Sequence, residues 1–341
     1  MWHDSRMNPP AVSIIVPVFN VEPYITDCLQ SVMRQTYQGP MECILVDDCG
    51  TDRSMAIAEQ LIANYTGPIG FKTLRHEHNR GLSAARNTGT NAATGDYVYY
   101  LDSDDYISND CLEVLARPLQ EKEYDMVVGD FVTFGGESNV RLWVEQGGEY
   151  KGERLRKACY SREIYVMAWN KLCNLRFLRQ HELSFYEGIL HEDELWSYRM
   201  AKCFGLVYVE KKCTMYYRLR SQGIIGQIHE NHKKAADSLY TIVKQIVEQE
   251  SVEDDGYVPE RMTYINSLFQ KYLMCDFGNK VRMKRLYLYV RSHWNYAPLK
   301  LYRAGLVPFS QVKTHLYFVL PPALGWRYLY LRTWKNYGNN R

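Results

Sequence analysis

The sequence predicts an α/β fold: a mostly parallel, doubly wound sheet with helices on both faces, followed by a mainly helical C-terminal region. Three observations predict it. From Ala11 to about residue 115, apolar strand-like runs alternate with helix-periodic segments, the pattern of βαβ units. The acidic clusters fall where the strand-like runs end, which is where open parallel sheets bind ligands. From about His229 the helical period takes over.

"VSIIVPVFN" reads as a buried strand, and Ile25, Cys28, Leu29, Val32 and Met33 recur at i, i+3, i+4, i+7 and i+8 as one face of a helix. "MECILVDD" is a second strand; Ala58, Leu61, Ile62 and Tyr65 mark the next helix. "GFKTLR" is a short third strand, "GLSAARNTGTNAATG" a helix ended by Gly95, and "DYVYYLD" a fourth strand. Beyond residue 116 the alternation weakens. A strand is predicted within "YDMVVGDFVTF", a polar stretch from Gly135 to Gly152, and helices around Ile164 to Arg179 and Glu192 to Lys202.

Composition narrows the classes. Of 341 residues, 46% are hydrophobic and 23% charged, ordinary for a globular chain of about two domains. Nine cysteines with no CxxC pair form neither a disulfide framework nor a zinc site, so a reducing cytoplasm is the simplest setting. No HExxH spacing occurs, and the HxH pair His76 and His78 brackets a loop where ordinary loop roles are expected, so a histidine-based metal site is not expected. The N-terminus has no apolar signal core, and the longest apolar stretch, "LYFVLPPALGW", is short and broken by Pro321 and Pro322.

Two carboxylate groups carry chemistry. Asp102, Asp104 and Asp105 follow the fourth strand within four positions. Oxygen ligands so spaced can hold magnesium or manganese, which in turn holds a diphosphate; a solvated acidic turn is the alternative. Asp47 and Asp48 end the second strand, where a carboxylate can accept hydrogen bonds from a pyrimidine N3–H or a ribose. A turn or helix-cap role, expected for Thr51 and Asp52 in any case, is the alternative.

"VSIIVPVFNVEPYITDCLQSVMRQTY", "ILVDDCGTDRS", "NRGLSAARNTGTNAATGDYVYYLDSDDYI" and "WNKL…HEDELW" occur in that order and together resemble a family 2 glycosyltransferase of the GT-A (Rossmann-like) fold over roughly residues 11 to 220. The resemblance implies metal-dependent, inverting transfer of a sugar from a nucleoside diphosphate donor, with UDP expected, to an acceptor hydroxyl. It implies Asp104 as the direct Mn2+ or Mg2+ ligand, and Asp102 on the ribose or a metal-bound water, with Asp105 supporting either. Asp48 would face the base beside Pro17 and Phe19, and Arg86, or else Arg80, would approach the base or phosphates. In "HEDELW" it implies Asp193 as catalytic base and Glu192 as the residue that orients it; these acids could equally complement a helix N-terminus. His191 beside them would tune its surroundings, while ordinary loop roles are expected for His76 and His78. Residues 11–115 would form the nucleotide-sugar half and 116–228 the acceptor half, after a tail at 1–10.

Trp169, Asn170 and Lys171 are further candidates for the sugar or acceptor pocket, with core packing of Trp169 as the alternative. Arg218 and Arg220 are candidates to reach the diphosphate, or are surface arginines. After Asp276 there is no acidic residue, while basic residues and aromatics such as Trp326 and Trp334 recur to the end. Region 229–341 therefore reads as a surface for anionic membrane, peripheral on the cytoplasmic face, which would suit a lipid-linked acceptor; the family resemblance implies a glycan in bacterial surface polysaccharide synthesis. Packing on the catalytic domain or on a second subunit of a homo-oligomer is the alternative; nucleic acid is not an expected partner. A nucleotidyltransferase would carry a glycine-rich phosphate loop, which "VPVFNVEPY" lacks. A silent sugar-nucleotide-binding subunit would not need both carboxylate groups.

Overall fold

A computed structural model describes residues 8–136, 141–220, 232–250, 258–293, 298–303, 305 and 309–339. It divides into two units, Met1–Gly188 with Glu192–Gly223, and Ile189–His191 with Ile224–Arg341. The expected boundary at 228–229, and Trp294, Tyr296 and Arg341 of the tail, lie outside the described residues.

In the first unit, β1 (Val12–Val18) is buried along its whole length, as a strand covered on both faces must be. It lies between β2 (Met41–Asp47) and β4 (Tyr97–Tyr100), parallel to both, with Val18 opposite Asp47 and Ile15 opposite Tyr100. β3 (Gly70–Arg75) is parallel to β2 at the sheet edge, where its exposed polar residues are tolerated. Three helices connect these strands: α1 (Ile25–Met33), α2 (Ser54–Ala63) and α3 (Leu82–Ala92). α1 buries Ile25, Cys28, Leu29 and Val32, the face its periodicity predicts. α3 ends before Gly95 because Ala93 is already extended (φ −68°, ψ 138°).

The chain continues through β5 (Tyr106–Ile107), α4 (Cys111–Ala116), β6 (Met126–Phe134), β7 (Gly148–Lys151), α5 (Gly152–Tyr160), β8 (Lys171–Asn174), α6 (Leu175–Gln180), α7 (Glu192–Cys203) and β9 (Leu206–Arg218). The sheet order is β3-β2-β1-β4-β8-β6-β9-β5, with β7 on β9. β6 and β9 are parallel; β8 runs antiparallel to β4 and β6 and joins the two parallel sets. β7, β8 and β9 are strands that the sequence reading did not assign. The helix expected across 164–179 is instead a loop, β8 and the short α6. Asn170 takes a left-handed backbone (φ 57°), and Asn174 caps α6 by accepting from the Phe177 N–H at 3.0 Å, so no continuous helix can form.

Trp169, Asn170 and Lys171 are all buried. Trp169 packs against Phe131, Tyr165 and Tyr217, with ring centroids at 4.7, 5.1 and 5.0 Å. The Asn170 Oδ1 accepts from Tyr99 Oη at 3.0 Å and from Thr214 Oγ1 at 2.8 Å, while its Nδ2 donates to the Asp130 carbonyl at 2.9 Å. Lys171 Nζ donates to the carbonyls of Tyr165 and Met167 at 2.7 and 2.5 Å, and burial pushes its pKa down to about 8. These are the tethers that hold β8 between β4 and β6.

The second unit is helical: α8 (His232–Glu250), α9 (Val258–Cys275), α10 (Lys280–His293), α11 (Pro298–Arg303), α12 (Phe309–Thr314), α13 (Leu316–Val319) and α14 (Pro322–Asn339). Part of the aromatic tail is its core. Tyr287, Tyr317, Phe318 and Trp326 are buried, and the Tyr317 carbonyl accepts from Tyr287 Oη at 2.7 Å and Arg291 Nη1 at 2.9 Å. Among the described residues no helix is long and apolar enough to cross a membrane.

Asn170→Ala should destabilise the first unit by about 1–3 kcal/mol, because it leaves the buried Tyr99 hydroxyl without its acceptor, while Thr214 Oγ1 keeps the Asp130 carbonyl at 3.3 Å. Urea titration monitored by tryptophan fluorescence should give a lower midpoint; an unchanged midpoint would remove this residue's tethering role.

Candidate active site

Because β1, β2 and β4 are parallel neighbours, their carboxyl ends share one edge, and three loops converge there. Pro17 is buried in β1. Phe19, just past its end, is 44% exposed, an unusual position for a phenylalanine. The first loop is locked to the second: Asn20 Oδ1 accepts from the Thr51 N–H, and Asp52 Oδ2 from the Glu22 N–H, both at 2.8 Å. Asp52 Oδ1 also accepts from the Ser54 N–H at 3.0 Å, the turn role expected of it.

Asp48 is bonded into its own loop. Its buried carboxylate accepts from the Arg80 and Gly81 N–H groups, both at 2.8 Å, and lies 2.6 Å from His76 Nδ1. His76 Nε2 in turn meets Thr88 Oγ1 of α3 at 2.9 Å. With these three partners the carboxylate shapes the loop that leads into α3. Arg80 itself is surface-exposed and pairs with Glu187 at 3.0 Å.

The acidic turn is closed by the Asp105 N–H donating to the Asp102 carbonyl at 3.0 Å. Its side chains diverge. Asp102 points to Arg86 Nη2 at 2.8 Å, whereas Asp104 lies 2.6 Å from Arg220 Nε. Asp105 is fully buried; one oxygen accepts from the Arg218 N–H at 2.7 Å, and the other has no hydrogen-bond partner. Burial, reinforced by the neighbouring aspartates, raises the pKa of both Asp104 and Asp105. Arg218 donates from Nε to the Asp104 carbonyl at 2.9 Å and from Nη2 to Asp27 at 3.0 Å, and lies against Tyr24 and Phe134. Both expected diphosphate arginines therefore stand at the acidic turn, already paired with it. The sequence reading missed Tyr24, which backs Arg218 and Arg220; nothing in its helix-entry position distinguishes it.

Opposite the turn stand the first residues of α7. Glu194 faces away, to Arg162 at 2.9 Å. Glu192 and Asp193 both meet Arg86 Nη1, at 2.8 and 3.0 Å. Arg86, expected at the base or phosphates, is 1% exposed and instead joins α7 to the acidic turn. Burial, then Asp193, pushes the Glu192 pKa up to about 7 against the pull of Arg86. Asp193 is also raised, by burial first; Arg86 and Lys171 oppose that rise.

Among the described residues no three His, Cys, Asp or Glu side chains form a ready-made metal cage. Asp102 and Asp104 nonetheless fit a magnesium or manganese site, because such ions are commonly held by one or two carboxylates and completed by substrate phosphates and water.

Residues 13–180 match the family described as glycosyl transferase family 2. The "Putative glycosyltransferase EpsH" of Bacillus subtilis is 30% identical over 265 residues, covering 76% of this chain and 75% of that protein. The structure of Staphylococcus aureus TarS 1–349 in complex with UDP-GlcNAc superposes with a TM-score of 0.74 at 20% identity, over 98% of this chain and 93% of that one. The mannosyltransferase PcManGT from Pyrobaculum calidifontis, in complex with GDP-Man and Mn2+, gives a TM-score of 0.53 at 15% identity, over 96% and 90% of the two chains. At these identities the two structures speak for the fold. The sequence match and the superposed architecture agree, and the chain belongs to glycosyl transferase family 2, a glycosyltransferase of the GT-A fold.

Proposed function

We propose that the enzyme transfers one sugar from a UDP-sugar, with inversion and with Mn2+ or Mg2+, to a hydroxyl of a lipid-linked glycan in bacterial surface polysaccharide synthesis. One observation carries this reading: the acidic turn after β4 and the first carboxylates of α7 meet on the single guanidinium of Arg86. A leaving-group edge and a basic group thus share one site. The UDP-GlcNAc of the TarS complex and the Mn2+ of PcManGT support the donor and metal assignments.

In this reading the exposed Phe19 ring, backed by Pro17, covers the base. Asp104, with Asp102, would hold the metal ion, which when bound offsets charge on the departing diphosphate. Arg218 and Arg220 lie close enough to the turn to exchange their aspartate partners for phosphate oxygens. Asp193 takes the acceptor proton as its oxygen attacks the anomeric carbon from the face opposite the diphosphate. Asp193 suits this better than Glu192, since its side chain is the more open of the two, 17% against 9% exposed. Glu192, holding its proton to about pH 7, is the orienting neighbour.

The acceptor assignment draws on the second unit. Leu324, Arg327, Leu331, Trp334 and Lys335 of α14 follow one another at helical spacing and are all exposed. Apolar and cationic groups on one stripe, in a segment without acids after Asp276, suit the boundary of an anionic bilayer. This supports peripheral attachment to the inner face of the cytoplasmic membrane, with residues 229–341 as the membrane-side region.

The reading is tested with a panel of nucleotide-sugars, by thermal shift with and without Mn2+ and by nucleotide release. UDP release from a UDP-sugar, dependent on metal, is expected. Metal-dependent binding without turnover would make the chain a silent sugar-nucleotide subunit, and pyrophosphate release would make it a nucleotidyltransferase. Asp193→Asn should lower turnover about 100- to 10,000-fold with donor affinity preserved; near-normal turnover would remove Asp193 as the base.

The raised Glu192 pKa has a consequence for stability. The folded protein holds this proton more tightly than the unfolded chain does, so the stability it contributes is present below about pH 4.3 and is lost as pH rises towards about 7. The stability of Glu192→Gln relative to the parent should therefore rise across that window in urea titrations. A flat difference would mean that Glu192 is ionised throughout.

For the membrane surface, flotation should carry the full-length protein with phosphatidylglycerol vesicles at low salt and not with phosphatidylcholine alone. Leu331→Asp with Trp334→Ala should weaken this about tenfold or more. Equal flotation of the variant, or loss of self-association instead, would reject the lipid assignment.

A further inference from the structure

Arg86 is a cation with almost no water. It is 1% exposed, and a charge so placed is tolerated only when neutralised and hydrogen-bonded. One carboxylate would suffice for that. It has three, from two distant parts of the chain: Nη2 donates to Asp102 at 2.8 Å, and Nη1 to Glu192 at 2.8 Å and to Asp193 at 3.0 Å. Three acids on one guanidinium exceed its charge, and Glu192 and Asp193 share the same Nη1. The arrangement is a poor anchor and a good positioning device, since the planar fork fixes the angle between whatever it binds.

The packing around it has the same purpose. Ala84, Ala85 and Gly89 are buried on α3, and a Cβ at Gly89 would collide with the Ile15 side chain of β1. Small residues thus let α3 seat against the central strand and bring Arg86 beneath the site. Phe185 lies 5.2 Å from the guanidinium carbon and stacks at 4.7 Å on Trp196 of α7. The helix that carries Asp193 is therefore held to Arg86 by both charge and ring contacts.

We propose that Arg86 is a positioning residue for sugar transfer: it fixes the Asp193 carboxylate at a set angle to Asp102, so that the base is aimed from the donor side of the site. The proposal rests on the reading of Asp193 as base and adds the residue that orients it. Arg86 does not contact the donor; its Nη1 is committed to α7 and its side chain is covered by protein.

The test uses the full chain with UDP-GlcNAc and Mg2+, reading UDP release, and the variants Arg86→Lys and Arg86→Ala. Lysine keeps the charge and loses the fork. Arg86→Lys should lower kcat about 100-fold or more while donor KM moves less than roughly three-fold. Added guanidinium ion should restore part of the kcat of Arg86→Ala and none of Asp193→Asn. Parent-like kcat in Arg86→Lys, or a loss confined to KM, would overturn the proposal. Should these variants not fold, 15N-arginine NMR of the parent decides: separate, slowly rotating Arg86 Nη resonances that collapse in Asp193→Asn are expected, and an unchanged spectrum would overturn it. If the parent itself releases no UDP, it is the transferase reading that fails, and the NMR comparison still judges the Arg86 geometry.

Discussion

The buried charge of Arg86 is the constraint on which the rest of the site depends. Removing a guanidinium from water is costly unless acids come to it, and here they come from the end of β4 and the start of α7, elements that the chain separates by about ninety residues. Local preference does not bring them together. The small residues of α3, the buried ring wall of Phe185 and Trp196, and the insertion of β8 beside β4 are the packing conditions under which those bonds form.

Around this centre the polar groups divide into those that build and those that remain available. Asp48, His76 and Thr88 form a chain of hydrogen bonds that positions the loop into α3. Asn170 and Lys171 tie a buried loop to three strands. By contrast, Asp104, Arg218 and Arg220 form a partly exposed network of charges at the strand ends. Burial, with Asp104 and Asp102 beside it, favours the protonated form of Asp105 beneath that network.

The second unit solves a different problem with similar residues. Tyr287, Tyr317 and Trp326 give up exposure to form its interior, with the Tyr317 carbonyl as a shared acceptor. Leu331 and Trp334 lie on the other side of the same helix as Leu329 and Thr333, and stay exposed. Composition alone treats all of these aromatics alike. The helical period sorts them, because residues about 100° apart on α14 meet either the core or the outside.

By itself the sequence determined the first parallel strands, the edge at which Asp102, Asp104 and Asp105 gather, and the family, because these follow from local apolar runs and from ordered short motifs. β1, α1, β2 and β3 lie where periodicity puts them. It did not determine β7, β8 and β9, whose pairing is non-local, or the break at Asn170, whose left-handed backbone is held by Tyr99, Thr214 and Asp130. Only the tertiary structure decided that Asp48 is bonded into the loop before α3, that Trp169 is core, and that Arg86 is buried among three carboxylates. The physical reason is the same in each case: a side chain's chemistry is written in its type, but whether that chemistry is spent or available depends on partners brought from far along the chain and on how much water remains around them.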